Sequence, residues 1–265
     1  MQTTLFQSFA PCILALQDGV TTSPSMLIGS EGRRHLYYIP FEFVNQDARL
    51  VMVGITPGNN QLSMAYKTAR PLIARGVGEQ EVLRTVKKEA SFGGEGVRPN
   101  LLRMMKHFGF AKLLGVHSEE SLWGENAGLM HTTSVVPHAA FLGDKMFAGS
   151  FEDVLGSKLF RTCFENHFVE SIKTINSNAY YVGLGKTPAA ALDWCVSKGV
   201  LKPKQVLGAF AHPSRSGGST VDYYLQLKRR ENMKPNDPVL KGGRTEWLDA
   251  AYAGMKEAAG ALSFA

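Results

Sequence analysis

Cysteine is scarce in this chain. The 265 residues include only Cys12, Cys163 and Cys195, far apart and without a CxxC pair. That excludes a disulfide framework and a sequence-local zinc site, and it reads as reduced core thiols in a cytoplasmic protein. Seven histidines are scattered without HExxH spacing, so neither a metal nor any other cofactor is expected. No apolar run reaches the roughly 18 residues that a membrane span needs. The opening stretch MQTTLFQSFAPCILALQDG lacks a basic segment ahead of its short apolar part, so no signal peptide is read. Internal repeats and low-complexity segments are absent as well. What remains is an ordinary globular composition, 44% apolar and 20% charged. The balance is basic, with a net charge of +6 and a pI near 9.2, which favours polyanionic partners, nucleic acid first.

Hydrophobic periodicity organises the chain. Residues 5–18 read as a short helix. RLVMVGI (49–55), GLMHTTSVVP (128–137), NAYYVGLG (178–185) and QVLGAFAHPS (205–214) are runs bounded by Gly, Pro or small polar residues, and each predicts a strand. Helices are predicted at 61–75, at 78–90, from Pro99 through NLLRMMKHFGF, around 157–175, and over TPAAALDWCVSKG. A long mixed connection is expected between the second strand and the helix near 157, and helix and loop after 220. Strands alternating with helices imply an α/β fold with a mainly parallel sheet, whose ligands bind beyond the carboxyl ends of the strands. Three strand ends become suspects: GITPGNNQ, TTSVVPH and AHPSRSGGS.

GLGKT (183–187) fails as a phosphate-binding P-loop, because Tyr180 falls near the place of the required first glycine. As a dinucleotide fingerprint it lacks the third glycine. HPSRSGGST (212–220) is more informative. A His between an apolar strand and a Pro is held extended, and Ser214, Arg215, Ser216, Gly217 and Gly218 offer hydroxyls, amides and a charge to a phosphate.

GITPG after the first strand and HPS after the last resemble the two signature loops of the uracil-DNA glycosylase superfamily. TTSVVPH is similar to its middle strand, YVGLGKTPAAAL to the strand and helix before HPS, and SFGGEGVRPNLLRMM to the segment carrying a base-stacking Phe. The order matches too, over about residues 49–220. The resemblance implies a three-layer α/β/α domain with a central, mainly parallel four-stranded sheet. It would form one domain, with residues 1–48 as an N-terminal extension and 221–265 as a helical part packed on it. It implies a monofunctional enzyme that flips a nucleotide and hydrolyses its N-glycosyl bond. His212 then donates to the leaving base, and Thr56, Asn59 and Asn60 handle the water. Gly54, Ile55, Pro57, Gly58, Gln61, Phe92 and Ser134 form the base pocket. Ser214, Arg215, Ser216, Gly217, Gly218 and Lys186 contact DNA. The expected partner is single- or double-stranded DNA, with no membrane, and the protein is expected to be a monomer.

Two positions depart from the pattern. Thr56 stands where Asp or Asn often orients the water, and Ser134 where Asn usually reads uracil. The iron–sulfur subgroup's four cysteines are missing. These departures point to a damaged or modified base, with a bulky, hypermodified pyrimidine favoured, excised in base-excision repair or anti-phage defence. The alternatives are a non-catalytic nucleic-acid-binding relative and an unrelated α/β nucleotide-binding enzyme. Tyr66, Lys67, Arg70 and Arg75 could line an enlarged pocket, His138 could reach it, and LKRRENMK (227–234) with Lys241 and Arg244 could track the DNA backbone.

Overall fold

The computed structural model describes residues 3–93, 97–214 and 217–262. In chain order the main elements are α1 (Leu5–Ala15), β1 (Leu27–Glu31), β2 (Arg34–Tyr37), β3 (Leu50–Gly54), α2 (Asn59–Ala74), α3 (Glu79–Ala90), α4 (Arg98–His107), α5 (Phe110–Leu114) and β4 (Met130–Ser134). They continue with β5 (Ala139–Leu142), β6 (Lys145–Met146), α6 (Phe151–Gly156), α7 (Lys158–Cys163), a π-helical turn (Phe164–Val169) and α8 (Glu170–Lys173). The rest are β7 (Tyr180–Leu184), α9 (Lys186–Ser197), β8 (Val206–Phe210), α10 (Thr220–Tyr224) and α11 (Arg244–Leu262). Backbone contacts divide the chain into two compact units that interleave in sequence. Unit 1 takes residues 1–45, 55–94 and 132–174, and unit 2 takes 46–54, 95–131 and 175–265.

The parallel sheet has the strand order β4-β3-β7-β8. The expected strands are there, each trimmed to five residues. β3 and β7 pair in parallel, as do β7 and β8. All five residues of β3 and all five of β4 are buried, as in a parallel sheet covered on its faces. Close approach explains two glycines in unit 2. A Cβ on Gly183 would lie 2.8 Å from the Ala189 amide nitrogen, so α9 rests directly on β7. Gly208, at φ +127°, faces Met255 of α11 at 3.7 Å.

Unit 1 carries a second, antiparallel sheet, β1-β2-β5-β6, that periodicity does not reveal. The connection expected to be irregular between β4 and residue 157 contains β5, β6 and α6. The helix expected at 157–175 is broken into α7, the π turn and α8. The core of unit 1 lies among α1, α2 and α3, where Ile13, Leu62, Val82 and Val86 are fully buried. Thr4 opens α1 with a capping box closed by Gln7, which satisfies two free amides of the first turn. The Val82, Leu83, Val86 and Ala90 stripe buries α3.

Candidate active site

The GITPG loop is built by unit 1 from Ile55 onward. The Val136 amide donates to the Ile55 carbonyl at 2.9 Å. Thr56 follows, half-buried, and its hydroxyl is engaged twice: it donates to the His138 carbonyl at 2.8 Å and accepts from the Ala140 amide at 2.9 Å. Its role is therefore to fasten the loop to β5, and its proton is not free for a water. Pro57 is buried, and Gly58 caps α2 in extended conformation with open space where a Cβ would stand. Asn59 and Asn60, expected in the loop, form the exposed first turn of α2 instead. A glycine N-cap followed by polar residues starts the helix two positions earlier than apolar spacing suggests. Gln61 is half-buried. Gly54 ends β3 in unit 2 and is buried.

Phe92 is 6% exposed and has φ +46°, a left-handed conformation rarely adopted by a side chain of this size. The turn after α3 is tight: a Cβ on Gly93 would come within 2.9 Å of the Glu89 carbonyl. Ser134 closes β4 and is 6% exposed. Tyr66 is buried, its hydroxyl donating to the Tyr38 carbonyl. Arg70 is tied to Asp18 and to the carbonyls of Ile13 and Leu16, so three of its five N–H donors are spent on α1 and the segment that follows it.

In unit 2 the HPS loop leaves β8 at Ala211. Asn100 of α4 donates to the Pro213 carbonyl at 3.0 Å, which holds the loop. The Ser214 amide donates to His212 Nδ1 at 3.4 Å. With Nδ1 an acceptor, a neutral imidazole carries its proton on Nε2. His212 is exposed by surface area, yet enough protein surrounds the ring that desolvation, then the Arg244 guanidinium, lowers its pKa. The neutral donor form is thereby favoured. Gly185 backs this residue, its φ of +105° open only to glycine and its Cβ position 3.5 Å from His212 Cβ. Lys186, the first residue of α9, is exposed. Gly217 donates to the Ser214 carbonyl, and Gly218, at φ +61°, packs on Pro238 and Asp237. Arg215 and Ser216 lie outside the described residues. Farther on, Lys228 donates to Ser219 and Arg230 pairs with Glu246, while Arg229, Lys234, Lys241 and Arg244 are exposed.

A buried polar group in unit 1 lies next to the Thr56 loop. Tyr38 donates to Glu42 Oε1 at 2.7 Å, and Glu42 Oε2 has no partner among the described residues. Burial pushes the Glu42 carboxyl up to about 7 and the Lys87 ammonium down to about 7, although each opposes the other's shift. Lys87 Nζ donates to the Phe41 carbonyl at 2.7 Å. His138, which accepts the Thr56 hydroxyl on its carbonyl, is 2% exposed, and burial drives its pKa down to about 3. Sequence reasoning passed over Glu42 and Lys87, yet both left a signal. Glu42 is the one charge in YYIPFEFV, and Lys87 falls at the helical spacing of the apolar stripe, four residues after Leu83.

Among the described residues no group of three or more His, Cys, Asp or Glu side chains could hold a metal ion, and no helix is long and apolar enough to cross a membrane. No family model matches the chain, and no solved structure matches it. It is 30% identical over 223 residues to a Bacillus subtilis (strain 168) protein named "Uncharacterized protein YoxB"; the match covers 84% of this chain and 86% of that protein. Near-complete coverage of both chains at this identity places the protein in one family with YoxB.

Proposed function

We propose that the chain is a monofunctional DNA glycosylase of the uracil-DNA glycosylase superfamily, acting in the cytoplasm on a modified pyrimidine. The observation that carries this reading is His212. It stands beyond a parallel strand, its Nδ1 takes the Ser214 amide, and its lowered pKa favours a neutral ring with an Nε2–H to give. Such a donor suits a leaving base. The N–C1′ bond breaks with its electron pair on the base, and Nε2–H stabilises the base anion in a site needing little reorganisation. Water then adds to C1′ and releases its proton to solvent. Thr56 donates its proton to the His138 carbonyl, so it does not serve as a donor to that water.

The three-layer α/β/α arrangement belongs to this reading. Gly183 pairs with Ala209 and Val182 with Gly208, so the contacts to α9 and to α11 come from opposite pleats. DNA is held by Ser214, Gly218 and Lys186, the Gly217 amide being spent on the Ser214 carbonyl, with the exposed Arg229, Lys234 and Lys241 supplying charge. The engaged Thr56 hydroxyl favours one competing reading, a relative that binds DNA without cutting. Incubation with oligonucleotides carrying uracil or modified pyrimidines, followed by alkali, separates the two. Strand breaks made by the wild type and lost in His212→Ala support the glycosylase. DNA binding without breaks on any substrate supports the binder.

A further inference from the structure

We propose that a cavity in unit 1, floored by the ends of β2, β5 and β6, binds a nucleotide by its phosphate and its flat base, either free or at the 5′ end of a DNA strand. The antiparallel register builds the floor. Arg34 pairs with Leu142, and Leu142 pairs with Lys145. Directly opposed residues of a ladder point to one face, so these three side chains stand in a single rung. The two cations are two strand spacings, about 10 Å, apart, with Leu142 between them. Leu142 is 45% exposed although strands flank it on both sides, so its apolar surface lies open at the centre of the rung. The cavity encloses about 480 Å³, within the range of small-ligand pockets, and Met146, Phe147 and Asp153 stand on its walls.

A third cation borders this floor. Gly143, at φ +60° in the turn between β5 and β6, would place a Cβ 3.1 Å from Arg33 Nη2, and its amide donates to the Arg33 carbonyl at 2.7 Å. The two hairpin turns are thereby tied together, with the Arg33 guanidinium laid against the glycine. Among the described residues no ion pair or side-chain hydrogen bond holds Arg33, Arg34 or Lys145. Two carboxylates also line the cavity. Asp153 spends its Oδ2 on the Ser150 amide and hydroxyl, closing the capping box of α6. Asp144 is exposed in the turn. Outside the lining, Glu31 is near Arg34, and its carboxylate is held by the Ser157 hydroxyl and the Lys158 amide. Three cations against two carboxylates leave the lining positive. Arginine forks match phosphate oxygens, Leu142 offers an apolar surface to a flat base, and Asp144 offers an acceptor to a sugar hydroxyl or a base amine. That combination suits a nucleotide better than a bare anion. The site is independent of the glycosylase reading, since none of its residues belongs to the strand-end loops.

The test titrates the full-length protein, carrying 13C-labelled leucine methyls, with thymidine 5′-monophosphate, thymidine and inorganic phosphate. The Leu142 methyl signals are identified by their loss in Leu142→Met. The monophosphate is expected to bind and move them, with thymidine and phosphate each binding at least tenfold more weakly. Arg33 and Lys145 are exposed, so Arg33→Gln and Lys145→Gln keep the fold, and each should weaken monophosphate binding about three- to tenfold. His212→Ala should bind as the wild type does. A 5′-phosphorylated oligonucleotide that moves Leu142 where its 5′-hydroxyl counterpart does not assigns the site to strand ends. Movement by the monophosphate and by neither oligonucleotide assigns it to free nucleotides. Failure of the monophosphate to bind, unmoved Leu142 signals, equal binding of thymidine or phosphate, undiminished binding by both Gln variants, weakened binding by His212→Ala, or equal movement by the two oligonucleotides would each overturn the proposal.

Discussion

The Thr56 hydroxyl donates to the His138 carbonyl at 2.8 Å while accepting from the Ala140 amide at 2.9 Å. One side chain thus ties the strand-end loop to a segment more than 80 residues away. Thr56→Val keeps the shape and removes both bonds, leaving a carbonyl and an amide unpaired in a largely buried setting. Urea unfolding should show a loss of about 2 kcal/mol. Thr56→Ser keeps the hydroxyl and should lose less than half of that.

His138 should make the fold acid-sensitive. Its pKa is lowered from 6.5 to about 3 by burial and by neighbouring His167. The unfolded chain therefore takes up a proton that the folded one refuses, and stability falls as pH drops from about 6.5 toward 3. Glu42, raised from 4.5 to about 7, acts in the opposite sense, because its protonation favours the fold as pH falls from about 7 toward 4.5. The clean readout is a difference. His138→Gln cannot titrate, so its loss of stability between pH 7 and pH 4.5 should be about 2–3 kcal/mol smaller than the wild type's, judged by urea melts at both values.

Two glycines around β7 should fail for different reasons. Gly183→Ala drives a methyl to 2.8 Å from the Ala189 backbone nitrogen, so helix and strand must separate, at a cost of about 1–3 kcal/mol. Gly185→Ala meets only ordinary contact with His212, but φ +105° strains any other residue, at a cost of about 1–3 kcal/mol. Thermal melts should show both losses. Only Gly185→Ala should also shift the NMR titration of His212.

His212 governs the predicted rate profile. Its lowered pKa keeps the ring neutral through neutral pH. Base release should be level above about pH 6.5 and fall in acid with a midpoint below that ordinary histidine value. A single-turnover pH series checks this. The profile of His212→Gln, if any activity remains, should lose the acid limb.

Much of the parallel sheet was legible in sequence, because β3, β7 and β8 are compact apolar runs punctuated by glycine or proline. The antiparallel sheet was not. LIGSE, RHLY and the two-residue β6 are short and half-exposed, so they carry no clean alternation. Asn59 and Asn60 were placed in a loop because helix starts are read from apolar spacing, and here a glycine cap leads. The residue types of the candidate site were visible at Thr56, Ser134 and His212. The engagement of Thr56 was not, since its partners are set by tertiary contacts 82 and 84 positions away. Tyr38 and Glu42 were passed over, and His138 was read only as a residue that could reach the pocket; burial, not spacing, gives these groups their chemistry.

The central claim is that this protein frees a base from DNA. Mass spectrometry of the bases released from several genomic DNAs, including phage DNA with modified pyrimidines, tests it most directly. The account predicts a free modified pyrimidine with matching alkali-labile sites, absent with His212→Ala. Wild-type protein that binds these DNAs and releases no base from any of them would contradict it.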